Sequence, residues 1–139
     1  MGWRVVFGFV AGALSVLLVH QTATYFGGKL GFGGGGAWSM APVPPFGVPA
    51  IASAAFFGGL WGVLLTSIMP HTGRGVIGAV SAVLIMAVLM SLVGWFVIAP
   101  IKGRGIGFVA SRAIYPLVYN AIWAIGALVI LRLMPRSGA

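Results

Sequence analysis

The sequence contains no aspartate and no glutamate. General acid–base pairs, Mg²⁺ or Ca²⁺ sites and carboxylate proton relays all need ionised acids, so this chain alone can build none of them. A Ser-His-Asp triad is excluded for the same reason. Cysteine is also absent. That removes disulfides, thiolate metal sites and a Cys nucleophile, and leaves the redox compartment unread. Charge of any sign is scarce, at 6% of residues, where a soluble domain carries about 25%. A water-soluble fold of 139 residues could not cover its surface with so little. In a bilayer the difficulty vanishes, because lipid meets the outer face.

What remains is apolar: 60% of residues are hydrophobic, and the mean hydropathy is +1.13. The apolar residues fall into four runs, roughly 5–26, 48–69, 76–99 and 113–131. Each is close to the ~20 residues that cross ~30 Å of hydrocarbon. The sequence predicts an all-α bundle of four transmembrane helices forming a single domain, with a long Gly/Pro-rich loop between the first two. Gly27-Gly28-Lys29 ends the first run. Pro42, Pro44, Pro45 and Pro49 precede the second, Pro70 stops it, and Pro100 stops the third. Glycine and proline mark breaks because they favour turns and disrupt helices. Pro116 fits the first turn of a fourth helix starting near Arg112 or Ala113. The first run exceeds a signal-peptide h-region and is expected to be retained.

The eight basic residues give a formal charge of +8. They are scattered as Arg4, Lys29, Arg74, Lys102, Arg104, Arg112, Arg132 and Arg136, mostly at the ends of apolar runs. Anionic lipid headgroups are the economical partner, acidic protein the second, and nucleic acid is not expected. With the N-terminus inside, the basic residues divide four against four across the membrane, and the α-amino group tips the balance to N-in/C-in.

Small residues recur at a spacing of four: Gly8 and Gly12 in the first run, then Ala54, Gly58 and Gly62 in the second. Such stripes let helix backbones approach closely in lipid. They are expected to pack runs one and two together, with a homo-oligomer or another membrane subunit as the alternative contact.

Antiparallel crossing places the end of run one and the start of run four on the same side. His20, Gln21, Thr24 and Tyr25 lie there with Arg112, Tyr115, Tyr119 and Asn120. His20, six residues before Phe26, sits about 9 Å deep at the helical rise. These residues form a polar layer that is either hydrogen-bonding glue between helices or a small ligand site. His20 is the foremost candidate, since an ionisable group within a membrane is a functional hypothesis by default. The Gly27–Gly47 loop lies on this side and carries no charge after Lys29. With Phe32, Trp38, Met40 and Phe46 it is expected to fold back onto the helices or lie among headgroups, its Gly33–Gly36 run flexible and its Ala41–Gly47 run stiff. His20 and His71 fall toward opposite membrane faces and cannot share one haem. No cofactor or metal is expected; a quinone, or a haem on His20, is the alternative.

The stretches Gly12–Gln21 and Ser39–Pro49, the latter continuing into Ala55–Gly62, resemble small, uncharacterised four-span inner-membrane proteins of bacteria. The resemblance covers the first half of the chain. It implies a bacterial inner membrane and carries no activity. The function expected is that of a non-enzymatic accessory or scaffolding subunit of a larger membrane complex. The alternatives are a small oligomeric transporter or channel for an anion or neutral solute, and a quinone- or haem-binding redox subunit.

Overall fold

The computed structural model describes residues 2–33 and 36–135. Gly34 and Gly35 of the glycine run, and Arg136, lie outside the described residues. The chain is mostly helical, at 76%. Four helices are long and apolar enough to cross a membrane: α1 (Gly2–Lys29), α2 (Ala50–His71), α3 (Gly75–Ile101) and α4 (Ala110–Leu133). Between α1 and α2, β1 (Pro42–Val43) and β2 (Val48–Pro49) pair antiparallel.

The helix boundaries have local causes. At the end of α1, Phe32 N–H donates to Gly27 O at 2.8 Å and Gly31 N–H to Gly28 O at 3.2 Å. Gly31 turns the chain with φ +82°, a conformation that a Cβ would penalise. The end of α3 repeats the device. Arg104 N–H bonds Ala99 O at 2.9 Å, Gly103 N–H bonds Pro100 O at 3.0 Å, and Gly103 has φ +73°. At the start of α2, two N–H groups that no helical turn could satisfy are taken by loop carbonyls: Ala50 to Ala41 O and Ile51 to Ser39 O, each at 2.9 Å. In α4 a 3₁₀ turn over Ala110–Arg112 leads into the α-helix at Ile114, which puts Pro116 in the first turn.

Pro100 does not end α3, which continues to Ile101. The reason lies just before it, in a π turn over Gly94–Ile98 closed by Ala99 N–H on Gly94 O. The wider turn relieves the crowding that a proline ring imposes on the carbonyl four residues back. α1 has a matching π turn at Val16–His20, closed by Gln21 N–H on Val16 O.

The helices pack in the order α2–α1–α4–α3, and the sequence neighbours α2 and α3 touch little. α1 and α2 meet in an antiparallel register. A Cβ on Gly8 would lie 2.7 Å from Gly62 O, one on Gly12 would run into Gly58 O, and one on Gly62 into Gly8 O. Ala54 is half-buried and packs against the core. Backbone approach this close maximises dispersion contact, the main attraction between helices in an apolar solvent. The core centres on fully buried Trp123, with Ala124, Ala127, Leu65, Ala82 and Met86 around it. Large apolar side chains such as Leu18, Leu84, Val88, Ile125 and Val129 face outward.

Candidate functional site

The helix group has two unlike ends. At the turn end, the short Thr72–Arg74 connection joins α2 to α3, near the start of α1 and the end of α4. At the loop end, α1 and α3 finish, α2 and α4 begin, and two longer connections lie. The sequence-predicted polar layer is at the loop end, and the structure divides it into two groups.

One group faces α4. The His20 and Tyr119 rings lie 6.2 Å apart, centroid to centroid. Tyr119 O–H donates to Gly33 O at 2.8 Å, and its ring tip presses on Gly27, where a Cβ would collide with it. Asn120 Nδ2 donates to Ser91 Oγ at 3.0 Å, joining α4 to α3. Thr24 Oγ1 donates back to His20 O at 2.6 Å, a bond within its own helix. His20 Nδ1 is buried and, among the described residues, has no hydrogen-bond partner.

The second group faces the loop. Gln21 Oε1 accepts from the Trp38 backbone N–H at 2.8 Å. The Trp38 indole Nε1 donates to Leu17 O at 2.9 Å. Tyr25 packs on Trp38 with ring centroids 5.9 Å apart, while Lys29 Nζ sits 4.7 Å over the Tyr25 ring. Trp38 is held at φ +52°. For a bulky residue that conformation persists only where the surroundings over-determine it. Arg112 joins neither group; it is exposed on the 3₁₀ turn that opens α4.

The Trp38–Leu17 bond has a backbone cause. A π turn shifts the helical ladder by one residue and frees a carbonyl that an α-helix would have paired. In α1 the Leu17 carbonyl, second in the π turn, receives the Trp38 indole. In α3 the Trp95 carbonyl, also second in its turn, receives Gly107 N–H at 2.8 Å. Both loops at this end are therefore tied to a helix through a carbonyl that the helix itself leaves open.

Sequence reasoning missed a further joint. Ser15 Oγ donates to Trp123 O at 2.7 Å, and Trp123 Nε1 returns a bond to Gly12 O at 3.0 Å. Ser15, Trp123 and Gly12 are all buried. This reciprocal pair clamps α1 to α4 at mid-depth. Ser15 stands three residues after Gly12 on the same helical face, which was the available signal. Near the turn end Thr66 Oγ1 lies 3.2 Å from Arg4 O and 2.8 Å from Val63 O, across and within α2.

Grooves among the described residues include four of about 640, 260, 230 and 150 Å³. None of these four is lined by His20, Gln21, Tyr119 or Asn120. The largest lies between α2 and α3, from Ala52 to Leu64 on one side and Val93 to Lys102 on the other. Comparisons of the chain with protein-family models, curated proteins and solved structures find no match.

Proposed function

We propose that this chain is an integral protein of a bacterial inner membrane, with both termini in the cytoplasm, that serves as an accessory or scaffolding subunit of a larger membrane complex. The observation that carries the proposal is the use made of the polar side chains. Ser15, Asn120, Gln21, Trp38, Tyr119 and Trp123 each bond another part of the same chain. Polar groups used in this way hold helices in place and do not line an open path. With no acidic side chains, no Lys or Arg can pair with a side-chain carboxylate of its own chain. The charges at both ends are therefore free to meet anionic headgroups or the acids of neighbouring subunits.

The test is extraction from native membrane in mild detergent, then native sizing and identification of what travels with the chain. A particle larger than the monomer with a reproducible protein partner is expected; a lone monomer would overturn the proposal. Fusions to reporters active on one side of the membrane read the orientation, with both termini expected in the cytoplasm.

A second reading, a small oligomeric transporter for an anion or neutral solute, rests on His20, whose buried Nδ1 has no partner among the described residues. It requires that His20→Ala change flux in reconstituted vesicles, whereas the scaffolding role leaves solute flux absent in both forms.

A further inference from the structure

The joints between helices are unevenly distributed. α1 meets α2 through the glycine stripe, α1 meets α4 through Ser15 and Trp123, and α4 meets α3 through Asn120 and Ser91. α2 and α3 are linked by a short turn, and the fully buried residues they bring to the core, Leu65, Ala82 and Met86, lie in their turn-end halves. Toward the loop end they leave the 640 Å³ groove between them, a volume within the range of small-molecule sites.

The walls of this groove are almost wholly apolar: Phe56, Phe57, Leu60, Val93, Val97 and Ile98 are among them. Its one charged lining residue is Lys102, just past the end of α3. Pro44, Pro45 and Phe46, from the turn between β1 and β2, border it as well. Arg104 follows two residues after Lys102. Partial burial and the adjacent Arg104 guanidinium both lower the Lys102 ammonium from its ordinary value. Two cations are thus crowded together with no carboxylate in the chain to neutralise them.

Length separates the occupants that an apolar groove could take. From Val93 to Lys102 the wall runs about 14 Å at the helical rise, close to half of the ~30 Å hydrocarbon core. A membrane-spanning partner helix needs both halves, and the groove ends at Leu64 on α2 and Val93 on α3. A slot one leaflet long, apolar along its walls and cationic at its polar end, has the shape and charge of a single phospholipid.

We propose that the α2–α3 groove is a binding site for an anionic phospholipid, one acyl chain lying between Phe56, Leu60, Val93 and Val97 and the phosphate meeting Lys102 and Arg104. The site rests on the membrane placement proposed above and is independent of the scaffolding role.

The test is native mass spectrometry of the full chain released from nanodiscs of phosphatidylcholine doped with about one fifth phosphatidylglycerol, whose charge a nearby cation attracts. The wild type is expected to retain one phosphatidylglycerol in preference to phosphatidylcholine. Lys102→Gln should reduce that preference about fivefold, the effect of one cation near an anionic lipid. Lys29→Gln, which removes a charge stacked on Tyr25 away from the groove, should leave it unchanged. Val97→Trp, which fills the slot, should lower retention of both lipids. Circular dichroism checks that each variant is helical. Equal losses from Lys102→Gln and Lys29→Gln would overturn the site in favour of diffuse surface charge. A wild type without lipid preference would overturn it too, as would a Val97→Trp variant that shifts the monomer–dimer ratio and leaves lipid retention intact. Failure of the membrane placement looks different, since the chain then stays out of nanodiscs altogether.

Discussion

Substitution of Gly12 by alanine tests the arrangement at its tightest point. A Cβ there would run into the Gly58 carbonyl and lie 2.9 Å from both Gly58 C and Gly62 Cα. These are backbone atoms of a packed helix, so no side-chain rotation relieves the contact. Retreat of α1 in the other direction is also blocked. Gly12 O accepts the Trp123 indole at 3.0 Å, and Trp123 is fully buried. The strain of such overpacking is about 1–3 kcal/mol. Alanine returns up to about 1 kcal/mol through its better helix propensity. The expected net loss is about 1–2 kcal/mol, roughly a 5- to 30-fold change in the folded-to-unfolded ratio. The assay is reversible unfolding in mixed micelles with increasing SDS, followed by tryptophan fluorescence. Gly94→Ala is the control: a Cβ there meets nothing within 4 Å, so it should be neutral or slightly stabilising. Gly62→Ala should resemble Gly12→Ala, and the pair should cost less than the sum, because either one alone already separates the helices. Equal stability of Gly12→Ala and wild type, or a Gly94→Ala loss as large as that of Gly12→Ala, would refute the close approach.

Other joints give smaller, distinct signatures. Trp38→Phe keeps a ring against Tyr25 but removes the donor to Leu17 O; a hydrogen bond lost at an exposed joint costs about 0.5–1.5 kcal/mol, so amide exchange across residues 36–41 should accelerate about two- to tenfold, and unchanged exchange would show that the indole bond does not hold the loop. Asn120→Leu breaks the α3–α4 bond to Ser91 and should cost about 0.6 kcal/mol, the average for interhelical bonds in a membrane. Ser91→Ala added to it should cost almost nothing more, and full additivity would mean that the two residues act separately.

The four helices were legible from the apolar runs and their Gly and Pro punctuation, because a run of this length has few folds open to it. Their boundaries moved by a few residues for local reasons: Val48 and Pro49 went to a strand pair, and the π turn let α3 pass Pro100. Helix adjacency was legible only in part. The Gly8/Gly12 and Gly58/Gly62 spacings marked matching faces on α1 and α2. α3 is apolar all round, so no periodicity marks its inner face, and the groove beside it left no trace in the sequence. Leu17 and Trp95 lie in unremarkable apolar runs, and their bonding partners, Trp38 and Gly107, come from loops. His20, Gln21, Tyr119 and Asn120 lie toward the loop end, and Arg112 is exposed on the 3₁₀ turn that precedes Ile114.

The two π turns explain why this protein differs at its two ends. A freed carbonyl in water would be hydrated at no great cost. In hydrocarbon it needs a donor from the protein itself. The loops that supply those donors must therefore stay close to the helices, and Trp38 accepts a left-handed backbone to do so. Displacing either loop exposes a carbonyl unless the π turn relaxes to an α-helix, which would rotate every residue beyond it. In α1 those residues include Gln21 and Thr24, which follow the turn; in α3 they include Ile101 and Lys102 at the groove. The orientation of the residues at the loop end is thus tied by backbone geometry to the two carbonyl bonds that hold its loops.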